Sequence, residues 1–161
     1  MSGQTLSGSC ACGDVTYTAT AAPQHLDFCY CTVCQQISGA PFVAWTGIPK
    51  SCLTIKFASE PLVYRAEIGD TGQCVAERTS CGRCSSSLIL QYYLYPDKTH
   101  IAASTIHRSE FEIPAVGCHI WYRSAPAWYH LPDDGIARYA EFDPVFQQRL
   151  DDYLKENRSP V

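Results

Sequence analysis

Cys29-Tyr30-Cys31-Thr32-Val33-Cys34 brings three cysteines into one short stretch, and Cys10-Ala11-Cys12 and Cys81-Gly82-Arg83-Cys84 each bring two more. These spacings let thiolates converge on a single ion, and tetrahedral zinc takes four ligands, with sulfurs at about 2.3 Å. Seven clustered cysteines out of ten divide as four and three. That is the arithmetic of one closed site and one with a coordination position left for a ligand from outside the protein.

Disulfides are the competing use of ten cysteines. The amino terminus, MSGQTLSGSC, carries neither a basic n-region nor an apolar h-region. Nothing in it directs the chain to an oxidising compartment, and the expected location is cytoplasmic. Vicinal cysteines in that setting read as metal or redox chemistry. A redox dithiol would account for Cys81 and Cys84 but not for three clusters together.

An apolar fraction of 46% against 17% charged, with ten tyrosines, suits a strand-rich globule rather than a disordered or coiled-coil chain. The expectation is a single domain over residues 1–161, with a core at about 7–140 and a C-terminal helix at about 143–156. The net charge is −4 and no run of Lys or Arg occurs, so a nucleic-acid partner is not expected. No apolar stretch approaches the roughly 20 residues of a membrane span, so no membrane role is expected either.

Val15, Tyr17 and Ala19 alternate on one face of a strand leaving the first cysteine pair. A second strand carries Leu26 and Phe28 into the Cys29 cluster. Residues 35–41 break regularity, and Phe42 to Trp45 resumes it. Further strands are predicted at Leu53–Phe57, Leu62–Tyr64 and Ser87–Leu94, with Ile101–Ser104 as the antiparallel partner of the last. Residues 68–72 are predicted to turn. One helix is predicted, with Asp143 as N-cap, Pro144 in the first turn, and Val145, Phe146, Arg149, Leu150, Tyr153 and Leu154 along one stripe. The fold class is mainly β, with this short C-terminal helix packed on it.

Gly13, after the second ligand of Cys10-Ala11-Cys12, can take the positive φ that turns backbone N–H groups toward sulfur. Paired with the distant Cys81 and Cys84, this knuckle makes a four-cysteine site, while Cys29, Cys31 and Cys34 are already local to one another. The cross-pairing, with Cys81 and Cys84 completing the middle cluster, would leave Cys10 and Cys12 without partners. Cys52, Cys74 and Cys118 stand alone and read as small buried hydrophobes. One of them, or His25, is the alternative source of a fourth ligand for the middle cluster. His119 reads as a core or surface residue.

The ordered set Gly8-Ser-Cys10-Ala-Cys12-Gly13-Asp-Val15-Thr-Tyr17, the Cys29 cluster, Gly39-Ala-Pro41-Phe-Val-Ala-Trp45, Cys81-Gly-Arg-Cys84 and His119-Ile-Trp121-Tyr-Arg123-Ser-Ala-Pro126-Ala-Trp128 resembles the glutathione-dependent formaldehyde-activating enzyme family. The resemblance implies a tent-like, zinc-bound β-sheet domain. It implies a structural zinc on Cys10, Cys12, Cys81 and Cys84, and a second, labile zinc on Cys29, Cys31 and Cys34, which are then also the catalytic set. The chain departs from the family at Ser80, where an aromatic is usual, and at Ser85, where glycine is usual.

The same resemblance implies a carbon–sulfur lyase-type reaction, adding a small thiol (glutathione) to an aldehyde such as formaldehyde to give an S-hydroxymethyl adduct. A thiol with two carboxylates calls for cationic partners, and Arg65, Arg78 and Arg123 are isolated charges suited to that part. The competing class is a non-catalytic zinc-folded binding module for a protein partner, with Tyr92, Tyr93 and Tyr95 as an interface. The chromatin-associated member of the family carries basic extensions that this chain lacks.

Overall fold

Leu6–Ser9 (β1) and Val15–Ala19 (β2) form an antiparallel hairpin around the first cysteine knuckle. In β2 the predicted alternation holds: Val15, Tyr17 and Ala19 are buried while Thr16 and Thr18 face solvent. Leu26–Cys29 (β3) runs into a helix, Thr32–Ser38 (α1), and Val43–Pro49 (β4) follows. Leu53–Phe57 (β5), Leu62–Glu67 (β6), Cys74–Ser80 (β7), Ser87–Tyr92 (β8), Lys98–Ala102 (β9), Ile106–Ser109 (β10), Cys118–Ile120 (β11) and Ala137–Arg138 (β12) lead to the C-terminal helix Pro144–Glu156 (α2). This computed structural model describes residues 3–67 and 73–157. The predicted turn at 68–72 lies outside the described residues.

The strands make two open sheets, one in the order β10-β1-β2-β5 and one in the order β12-β11-β3-β4-β9-β8-β7-β6. Leu6, Val15, Tyr17 and Ala19 of the smaller sheet pack on Ile48, Leu88, Ile89 and Ile101 of the larger one. The other face of the larger sheet carries Trp45, Val75, Leu90 and Tyr92, covered by Leu150, Phe146, Tyr153 and Leu154 of α2 and by Phe142 before it. Each large side chain so buried contributes on the order of 1.5–3 kcal/mol. Asp143 caps α2 as predicted, its Oδ1 accepting from the Val145 and Phe146 amides. Val145 leaves the predicted stripe, being 66% exposed.

The irregular segment expected at 35–41 is a helix at its start. Cys31 is the N-cap of α1, its Sγ accepting from the Cys34 amide, and Gly39 closes the helix with φ 65°. Seven residues with one buried side chain, Cys34, carry too little apolar periodicity to announce a helix. The Ser87–Leu94 strand stops at Tyr92. Its partner is Lys98–Ala102, with Ile89 opposite Ile101 and Leu90 opposite His100, and Ala103–Thr105 turns instead of extending it. Strands β1, β7, β10, β11 and β12 had no sequence prediction. β11 joins β3 in parallel, Ile120 beside Cys29. Among the described residues no helix is long and apolar enough to cross a membrane.

Candidate metal centres

The β1–β2 hairpin brings Cys10 and Cys12 against Cys81 and Cys84, which lie in the turn between β7 and β8. The four Sγ atoms lie within 4.8 Å of one another. A regular tetrahedron with zinc–sulfur distances of about 2.3 Å sets its sulfurs about 3.8 Å apart. Here Cys10–Cys12 is 3.6 Å and Cys12–Cys81 is 3.7 Å, so this set fits zinc in geometry and donor chemistry. Backbone amides point at the sulfurs as the knuckle reading expects: Val15 N to Cys10 Sγ at 3.2 Å, and Arg83 N and Cys84 N to Cys81 Sγ at 3.4 and 3.5 Å. Gly13 has φ 83°. Because one knuckle belongs to each sheet, an ion here would tie the two sheets together. The Arg83–Asp14 ion pair at 3.1 Å adds a second tie.

Cys29, Cys31 and Cys34 also hold their Sγ atoms within 4.8 Å of one another. Cys29 ends β3, Cys31 caps α1, and Cys34 is in its first turn, so strand end and helix start present three sulfurs to one point. Trp45 Nε1 donates to Cys34 Sγ at 3.4 Å. Hydrogen bonds from Cys29 and Cys34 pull the Cys31 thiol down to about 2, and the same pairing, with burial, pushes Cys29 well up. Although Cys29 lowers it, Cys31 and burial likewise raise Cys34 to about 11. The three sulfurs by themselves therefore favour a single thiolate on Cys31, and a cation between them would be what holds all three as thiolate donors. Among the described residues no fourth Cys, His, Asp or Glu joins it. Cys118 is buried as predicted and bonds Asp27 at 3.2 Å. Cys52 and Cys74 are only partly buried, a correction to their reading as core residues, because each sits at a strand margin.

Tyr30, between two of the sulfurs, fixes this loop from below. Its hydroxyl meets His119 Nδ1 at 3.1 Å, and His119 Nε2 meets the Asp134 carboxylate at 2.9 Å. A carboxylate only accepts, so Nε2 carries the proton and Nδ1 accepts from Tyr30. Gln35 Nε2 donates to the carbonyls of Tyr30 and Ser124, fastening α1 to the same loop. No spacing rule pointed to Asp134 or Gln35.

A cavity of about 260 Å³ opens over Cys29 and Cys31, walled by Val75, Ala76, Tyr92, Trp121 and Phe142, with Arg78, Arg123 and Glu67 as its charged groups. Arg78 is only 8% exposed and its Nε has no hydrogen-bond partner. Burial would lower its pKa, but the facing Cys34, Tyr92, Cys31 and Cys29 outweigh that and raise it. Arg123 stacks over Trp121 at 5.5 Å and pairs with Glu141 at 2.6 Å. Arg65 is on the outer strand, paired with Glu77 at 3.1 Å, and does not line the cavity. Tyr92 is buried, so it belongs to the core and not to an interface.

An open mainly-β fold with two separate cysteine clusters, one beside a cavity with two arginines, defines a class of protein built around clustered thiols that could hold metal ions. The chain belongs to the glutathione-dependent formaldehyde-activating enzyme family, whose model matches residues 5–124. Among solved structures it is similar to a Rhodobacter sphaeroides protein at 18% identity, covering 67% of this chain and 97% of that one with a TM-score of 0.47. No curated protein matches it.

Proposed function

We propose that this chain acts as a single zinc domain and a carbon–sulfur lyase-type enzyme that joins a small thiol to an aldehyde. Glutathione and formaldehyde are the reference pair for its family. The observation that carries this reading is the cavity in which Cys29 and Cys31 share walls with the buried Arg78, whose Nε has no hydrogen-bond partner, and with Arg123. Cys10, Cys12, Cys81 and Cys84 would hold a structural zinc; Cys29, Cys31 and Cys34 would hold the reactive one. Bound there, zinc supplies an exchangeable position that favours the thiolate form of an entering thiol.

The chain's own residues do the rest. Arg78 and Arg123 attract a carboxylate-bearing thiol, and Arg78 adds positive charge where a sulfur anion must sit. Trp121, Phe142 and Tyr92 exclude water and strengthen those interactions. In the reaction the thiol sulfur attacks the aldehyde carbon, a C–S bond forms, and the carbonyl π pair moves to oxygen. That oxygen takes up a proton and the thiol gives one up, so no oxidant or reductant is needed.

The binding-module reading draws on Leu62, Val63 and Tyr64, exposed along the edge strand β6. Cobalt substitution separates the two. Glutathione should change the thiolate-to-cobalt absorption of the three-cysteine site, and cysteamine, which has no carboxylate, should change it less. A spectrum indifferent to both thiols would exclude the enzyme reading.

A further inference from the structure

Cys29-Tyr30-Cys31 and Cys10-Ala11-Cys12 share a spacing but differ in the middle residue. Cys29 ends β3, and Cys31 is extended at φ −62° and ψ 150°. Successive side chains on extended backbone point to opposite sides. Cys29 and Cys31 accordingly line the cavity over the cysteines, and Tyr30 does not. The middle residue is therefore a lever, because its orientation sets where both neighbouring sulfurs aim. In the other knuckle that residue is Ala11, exposed and too short to be gripped.

Tyr30 is held at its backbone, its ring and its hydroxyl. Its amide donates to the Ile120 carbonyl at 3.0 Å, and its carbonyl accepts from Gln35 Nε2. The ring is fully buried against Phe42 at 5.3 Å and His119 at 5.7 Å. The hydroxyl donates to Nδ1 of the equally buried His119 at 3.1 Å, and His119 Nε2 donates to Asp134 Oδ2 at 2.9 Å. Asp134 is itself anchored, its Oδ1 accepting from the Ile136 amide at 3.1 Å with Arg138 3.7 Å away. The carboxylate thus keeps the proton on Nε2; with the proton on Nδ1, the tyrosine hydroxyl would lose its acceptor. Asp134 lies beyond residues 5–124 of the family match.

A closed site of four cysteines is kept in shape by its own ion. A site of three, at which a fourth ligand comes and goes, needs the protein to keep its shape. We propose that Tyr30, His119 and Asp134 are positioning residues for the thiol addition, a relay that keeps Cys29 and Cys31 aimed at one point with Cys34 while the fourth ligand exchanges. None of the three touches the reacting atoms; each acts through the next, and Tyr30 acts through the backbone of the two cysteines beside it. The inference rests on the reading of Cys29, Cys31 and Cys34 as the exchangeable zinc site.

Tyr30→Phe and Asp134→Leu test the relay, since the first keeps the buried ring and the second changes an exposed residue. Cysteine Cβ resonances of the zinc-loaded full-length protein report each site separately during a chelator titration. Each variant should hold zinc at Cys29, Cys31 and Cys34 at least about tenfold more weakly, with the four-cysteine site unchanged. Both substitutions cut one chain of bonds, so the double variant should match the weaker single variant to within about twofold. Equal weakening of both sites, losses that multiply in the double variant, or no loss at all overturn the proposal. Exchange of the Tyr30 amide, which needs no metal, should speed up by about tenfold or more in both variants. If it does so while the wild-type three-cysteine site binds no zinc, the relay stands and the zinc reading fails. If zinc binds there and neither its affinity nor the exchange responds, only the relay fails.

Discussion

His100 should make the protein acid-sensitive above the range in which ordinary carboxylates titrate. Burial lowers its pKa from 6.5 to about 3, and the charged or titratable groups around it are His25, Lys98, Asp27 and Asp143. A depressed folded-state pKa means that the unfolded chain takes up a proton first. The stability it contributes is complete above pH 6.5 and is lost progressively as pH falls toward 3. Between about pH 7.5 and about pH 5.5 this single residue costs about 1.4 kcal/mol, at 1.36 kcal/mol per unit. His100→Gln should remove that increment, because glutamine does not titrate. Urea unfolding of both proteins at the two pH values and fixed free zinc measures it, since the metal contribution cancels in the difference. If wild type and variant lose stability equally, to within about 0.3 kcal/mol, or if the His100 ring titrates near 6.5 by NMR, the buried-neutral reading is wrong.

The two cysteine clusters should respond differently to loss of a ligand. Cys84→Ser should cost of order 3 kcal/mol or more, because it breaks a site whose binding free energy is also folding free energy, whereas Cys31→Ser should stay folded with about half the zinc. Thermal melts and metal analysis decide between them, and the reverse pattern would mean that the two roles are exchanged. Ser85 has φ 60° after the second knuckle, where the family usually has glycine. Ser85→Gly should therefore stabilise the protein by roughly 0.5–1 kcal/mol, visible as a higher Tm, and an unchanged or lower Tm would show that the serine is unstrained there.

The grouping of seven cysteines as four and three is local information, because pairs two or three residues apart must converge and only a distant pair can complete a closed tetrad. Gly13 after the second ligand, the alternation of Val15, Tyr17 and Ala19, and the Asp143 cap were legible for the same reason. Each depends on backbone geometry within a few residues. The helix α1 was not, since its cap is a cysteine and its apolar face is a single residue.

Nor could spacing reveal what surrounds the clusters. The parallel pairing of β11 with β3 brings Ile120 beside Cys29, and the cavity joins Cys31 to Arg78, Arg123 and Phe142 from segments far apart in the chain. Gly47, opposite His100 of β9, leaves room for the His25 ring because it has no Cβ, and only the fold brings the three together. Sequence periodicity says which side of a strand is buried. Which strands become neighbours, and so which charges meet over the sulfurs, is decided only when the two sheets and α2 close over their shared apolar faces.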